Sequence, residues 1–269
     1  MNRIIQFKRI ALLLTVLWTT AFGMASLTAE PLPVWKKLNA IILTGYDPAH
    51  SWKRNSAEIK AILEATHKFS VDVMEDYKIL SSAADLAKYD VLILNGAFYD
   101  KPGKGKEPQP VFVIEDQAKK NLLDFVNNGK GFYAQHLASV SWDSWDDFAK
   151  MEGQRWVRGK SGHASREPFE VKITNPEHPI TRGLNNFTTD DECYARFGIF
   201  SEVDILATGF SKMSNVDEPM LMAHSYGKGH VVISTLGHDV KAMLTPETRI
   251  IIARGVEWAA TGGVTPEQK

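Results

Sequence analysis

Cysteine is almost missing from this 269-residue chain: Cys193 stands alone, so no intrachain disulfide can form and stability must come from core packing. That cysteine lies in an acidic run rather than at a strand-to-helix elbow, which argues against a Cys-His nucleophile. No G-x-S-x-G occurs, so a serine hydrolase of the elbow type is excluded. A glycine-rich phosphate loop is also missing, and no nucleotide cofactor is expected. H-x-x-H and H-E-x-x-H are both absent, so no zinc site is announced by local spacing. The formal net charge is −1 without a basic block, which argues against nucleic acid as partner. There is no internal repeat and no low-complexity tract.

What is present begins with a leader. Arg3, Lys8 and Arg9 precede an apolar run from Ile10 to about Phe22, and small residues follow, Gly23, Ala25, Ser26 and Ala29. This is the layout of a secretory signal peptide, cleaved after Ala25 or Ala29; a retained membrane anchor is the rival reading. We expect residues 1–29 to be the leader and 30–269 one large domain, periplasmic or secreted. Loss of the three basic residues takes the net charge to −4.

The domain alternates strands and helices. Asn39–Thr44 reads as a buried strand, and a helix is expected from near Asn55, where Asn55 and Glu58 have capping-box spacing. Its inward face is Ile59, Ile62 and Leu63. Strands are expected at Val71–Met74 and Tyr89–Gly96, then a polar loop from Lys101 to Pro110, a helix at Glu115–Asn128 and a central strand ending at His136. Four strands in succession with helical crossovers indicate an α/β fold with a mostly parallel sheet. Beyond it, Trp142–Met151 reads as a short helix and Gln154–Ala164 as a basic loop. Phe169–Thr174 and Ile205–Thr208 read as strands. A hairpin is expected around Tyr226–Gly229, and a last helix at Pro246–Trp258.

Polar residues fall at strand ends. His50 follows the first strand, Asn95 ends the third, His136 the fourth and His238 the last, so a parallel sheet places them all at its carboxyl edge, where ligands bind. These imidazoles with Asp191 or Glu192 suit Zn²⁺ or a similar divalent ion; the alternative is that they bond loop backbone. Asp190, Asp191 and Glu192 are either three solvated acids or a run with Glu192 turned inward. Trp52, Trp142, Trp145 and Trp156 sit in the same loops and suit either sugar faces or the core.

Together, Ile41–Gly45 with His50, Gly129–His136, Gly162-His163, His178–Leu184, Asp191–Tyr194 and Gly237-His238-Asp239 resemble the ThuA-like (trehalose utilisation) family. The resemblance implies a three-layer, flavodoxin-like fold of the class I glutamine-amidotransferase type, with an added antiparallel hairpin. It also implies a role in sugar catabolism on oxidised (3-keto) glycosides, with a small carbohydrate as substrate. On that resemblance His136, His163 and His238 are expected to hold a metal, with His136 and Glu192 catalytic. His50, Trp52, Asn95, Trp142 and Trp145 are expected to meet the sugar. True amidotransferases carry a nucleophilic cysteine after the central strand and a glutamate two residues beyond the catalytic histidine. Here the His136 segment and His238-Asp239-Val240 stand instead, so glutaminase activity is not expected. A sugar-binding module without catalysis is the rival.

Overall fold

The computed structural model of the protein describes residues 37–47, 49–101 and 110–266. The expected leader and nearly all of the polar loop at 101–110 lie outside them. In chain order the elements are β1 (Leu38–Thr44), α1 (Trp52–Glu64), β2 (Phe69–Met74), α2 (Ala83–Leu86), β3 (Val91–Asn95), α3 (Asp116–Asn127), β4 (Gly131–Gln135) and α4 (Asp146–Glu152). There follow β5 (Gln154–Arg155), β6 (Gly162–His163), β7 (Glu167–Ile173), β8 (Phe187–Asp191), β9 (Tyr194–Ala195), β10 (Gly198–Ile199), β11 (Asp204–Ser211), β12 (Val216–Tyr226), β13 (Gly229–Ser234), α5 (Val240–Met243) and α6 (Pro246–Thr261).

One nine-stranded sheet runs in the order β2-β1-β3-β4-β13-β12-β11-β7-β8. Its first five strands pair in parallel, in the flavodoxin-like order whose switch point lies between the first and third strands. The rest is antiparallel and extends well beyond a hairpin: β12, β11, β7 and β8 follow one another across the sheet. Four successive reversals leave β8 running in the same sense as β13. Its end, Asp191, therefore points to the same edge as the ends of the parallel strands.

Alternation along the strands builds the three layers. Ala40, Ile42, Val91, Ile93, Tyr133 and Val232 pack with Ile59, Ile62 and Leu63 of α1 and Ile251, Ile252 and Val256 of α6. The intervening residues, among them Ile41, Leu43, Leu92, Leu94 and Phe132, pack with Leu122, Phe125 and Val126 of α3 and Phe148 of α4. Strands covered on both faces have to be apolar on both faces, which is why these segments read as continuous apolar runs. Gly131 is required by a close approach: a Cβ there would meet the Ala259 carbonyl of α6 at 2.5 Å.

Several boundaries differ from the expectation. Helix α1 starts a turn early, at Trp52, and Asn55 is inside it, buried with its amide turned to the His238 carbonyl rather than capping. The acidic run is the end of a strand, not a solvated loop. Trp142 precedes α4 instead of opening a helix, and the loop at 154–164 contains the short strands β5 and β6.

Candidate metal and catalytic centre

His136 directly follows β4 and takes a left-handed backbone, φ 50°. For a residue with a Cβ this costs of order 1–3 kcal/mol and persists only where the surroundings over-determine it. Here they do. The His136 Nδ1 bonds the Thr235 carbonyl at 2.6 Å, and its ring stacks on Tyr194 with centroids 4.7 Å apart. A carbonyl only accepts, so Nδ1 carries the proton and Nε2 presents a lone pair. His50 is oriented in the same way: Asp47 receives its Nδ1 at 2.8 Å and accepts from the backbone N–H of Ala49 and His50. Nε2 of His50 then faces Nε2 of His136 at 3.2 Å.

Two more groups enter this point. Glu192, just past β8, brings Oε2 to 3.5 Å from His136 Nε2, 3.8 Å from His50 Nε2 and 3.1 Å from His238 Nδ1. Despite that nearness, Glu192 Oε2 and His238 Nδ1 are both buried without a directed hydrogen bond. Asp191 organises the approach. It is fully buried and its carboxylate accepts from the backbone N–H of Glu192 (2.8 Å), Gly237 (2.6 Å) and His238 (3.1 Å). Gly237 is needed there twice over, since φ is 94° and a Cβ would meet the Gln135 amide at 2.5 Å.

The electrostatics follow from this convergence. Burial alone would depress the His50 pKa, but hydrogen bonding and charge from Asp47 and Glu192 lift it to about 9. Burial works against the Glu192 carboxylate, yet His136, His238 and His50 outweigh it and hold that carboxyl well below the ordinary range. Burial, with nearby carboxylates adding, pushes the Tyr194 phenol well up, so its O–H stays protonated 3.0 Å from His136 Nε2. Facing lone pairs and a carboxylate repel one another unless a positive charge sits among them. A proton on His50 is one solution and a cation is the other.

A divalent ion fits the residues present. One atom each from His50, His136, His238 and Glu192 lie within 4.8 Å of one another. Three imidazole nitrogens with one carboxylate oxygen suit Zn²⁺ and related ions. The Asp47 carboxylate and the Thr235 carbonyl behind two of the rings are the usual outer partners of metal-binding histidine.

A family model for ThuA, trehalose utilisation, matches residues 39–259. The chain belongs to the ThuA family. Among solved structures, a ThuA-like protein from Parabacteroides merdae is 24% identical to this ThuA protein, with TM-score 0.71 over 87% of this chain and 93% of that one. A ThuA-like protein from Bacteroides uniformis is 15% identical, with TM-score 0.65 over 86% and 94%. A cold-adapted β-galactosidase from Rahnella sp. R3 shares the fold over 83% of this chain but 31% of its own length, at 15% identity and TM-score 0.55. No curated protein matches the sequence.

Within this ThuA protein the expected site residues separate. His50, His136, His238 and Glu192 come together, and Trp52 and Asn95 line a small cleft beside His50 and His136. His163 does not join the set. Its Nδ1 bonds the Ala164 carbonyl at 2.8 Å and lies 3.6 Å from Glu192 Oε1, on a side chain 35% exposed at the rim. His50 holds the place expected for it. Trp142 is 1% exposed, stacked on Phe98 in the core, and has no face to offer a sugar. Trp145 packs on Phe148 of the same core. Both were expected to line the sugar site, and both were claimed by the apolar layer beneath α4. Trp156, half-buried and edge-on to Tyr194, is closer to the centre. Asp47, Asn55, Gln135 and Tyr194 were not singled out for the site. Asp47, Gln135 and Tyr194 lie at or near strand ends, whereas Asn55 lies inside α1, where no local pattern marks it for the site.

Proposed function

We propose that this ThuA-family protein is an exported, metal-assisted enzyme of carbohydrate catabolism that acts on oxidised (keto) sugars or glycosides by moving a proton next to a carbonyl. The carrying observation is a convergence of acceptors: two imidazole Nε2 atoms 3.2 Å apart, with a buried carboxylate oxygen that has no directed hydrogen bond beside them. His50, His136, His238 and Glu192 would hold the ion, which when bound supplies a Lewis acid for a carbonyl or hydroxyl oxygen. Asp47 and the Thr235 carbonyl fix the rings of His50 and His136. Glu192 serves better as a ligand than as the free base, since Oε2 is enclosed by three imidazoles. His163, at the rim with Nδ1 on the Ala164 carbonyl and 3.6 Å from Glu192 Oε1, would carry a proton between substrate and solvent. Trp52 and Trp156 offer the remaining aromatic faces to a sugar. The family description, trehalose utilisation, supports the carbohydrate class.

Elemental analysis of purified wild type against His136→Ala and His238→Ala tests the reading. The expected result is near-stoichiometric divalent metal in wild type, lost in both variants, with turnover of 3-keto-glycosides lost in parallel. Wild type that stays metal-free after reloading, or variants that keep full turnover, would refute it.

A further inference from the structure

Beside the paired histidines lies a cavity of about 10 Å³, whose walls include Asn55, Asn95, Gln135 and His136. That is room for about one water molecule. Two of its walls are amides with an imbalance. Asn55 is 3% exposed and donates its Nδ2 hydrogen to the His238 carbonyl at 2.9 Å. Gln135 is 1% exposed and donates Nε2 to the Leu236 carbonyl at 2.6 Å. Because a backbone carbonyl can only accept, these bonds fix which end of each amide is nitrogen. Asn55 Oδ1 and Gln135 Oε1 are left as buried acceptors without a partner. An unpaired buried oxygen is destabilising, and here the residues that carry two of them line the same cavity. The third amide on its wall bonds neither of them; Asn95 Nδ2 donates to Ser56 Oγ at 2.8 Å.

We infer that this cavity is a built site for a single water molecule that donates one proton to each amide oxygen. The alternatives fit less well. A hard cation gathers about six or more oxygen ligands, and two amide oxygens, even with the Asp47 carboxylate on the same wall, do not approach that number. A sugar hydroxyl brings a ring carbon that the volume excludes. Water supplies two donors in the space of one molecule. With both hydrogens directed at Asn55 and Gln135, its lone pairs stay free in a cavity that His50 and His136 also line. An oxygen is thereby held next to the candidate metal centre; this last consequence rests on the function proposed above, whereas the water site itself does not.

High-resolution crystals of the full-length mature wild type, grown once in sodium and once in rubidium salts, decide the matter. The expected result is one water-like peak in both, about 2.7–3.1 Å from Asn55 Oδ1 and from Gln135 Oε1. Anomalous rubidium density at that point would overturn the inference in favour of a monovalent cation, and absence of any peak would overturn it outright. A water peak in crystals whose histidine cluster takes up no divalent ion would sink the metal reading and leave the water site standing.

Discussion

Asp191 and Asp190 are neighbours with opposite expected consequences. Asp191 is a fully buried carboxylate whose hydrogen-bond partners among the described residues are three backbone N–H groups, two of them on the turn that carries His238. Replacement by asparagine keeps the shape but leaves one acceptor oxygen. Whichever way the amide turns, its NH₂ faces at least one of the three donors, so a charge-assisted bond is lost and a buried N–H is left unpaired. At about 1.5–3 kcal/mol for a bond to a charged group and about 1–3 for the orphan, Asp191→Asn should cost roughly 3–5 kcal/mol. For a domain of this size that is a Tm lower by about 6–20 °C. Asp190 bonds Lys241 and Arg166 at the surface, where solvent screens both pairs, and Asp190→Asn should leave stability close to that of wild type. Chemical denaturation and differential scanning calorimetry of both variants, without added metal, measure the contrast. If Asp191→Asn fell within 1 kcal/mol of wild type, the view that its carboxylate fixes Glu192 against His238 would be wrong.

Divalent-ion affinity should rise with pH, by up to tenfold per unit, and level off above about 9, because an incoming ion must displace the proton that His50 carries below that value; titration calorimetry in buffers of different ionisation enthalpy would register the released proton. Glu152 is fully buried, and burial lifts its pKa to about 8, so the folded state binds a proton that the unfolded state releases near 4.5. Stability should therefore fall by up to about 1.4 kcal/mol per pH unit between about 4.5 and 8. Glu152→Gln, which keeps an acceptor for Ser139, should remove that slope in urea melts across the window. Trp142→Ala should cost about 3–5 kcal/mol through a core cavity, whereas Trp52→Ala should leave stability within about 1 kcal/mol and act on sugar affinity; equal stability losses in thermal melts would contradict this placement.

What was legible in the sequence, and what was not, divides along the range of the interactions. The parallel half of the sheet is written locally, because strands covered on both faces must be apolar on both, and Val91–Leu94 or Phe132–Ala134 admit little else. From the order of those strands alone, His50, Asn95, His136 and His238 could be assigned to one edge. Helix α1 misled because its capping pattern was real but unused: Asn55 sits 183 residues from His238 in sequence, and its amide donates to that carbonyl instead of capping. The third histidine of the cluster was not legible for a related reason. His163 has a glycine before it and a loop around it, which reads as a placed ligand, while His50 looks like an ordinary loop residue until Asp47 turns its ring. Choosing between them requires knowing that β8 reverses sense four times relative to β13, so that Glu192 arrives facing His50 and shows His163 only its outer oxygen. The tryptophans failed for lack of a periodic signal. Trp142 has a positive φ and lies between elements, where neither helical nor strand spacing says which way a side chain turns. Each mismatch thus falls where a contact invisible to local pattern overrode a local preference; Asn55 and His50 are at the candidate centre and His163 is at its rim. Conflict between local pattern and final position is what a functional site imposes on a fold, since its groups are placed for chemistry and the rest of the chain must accommodate them.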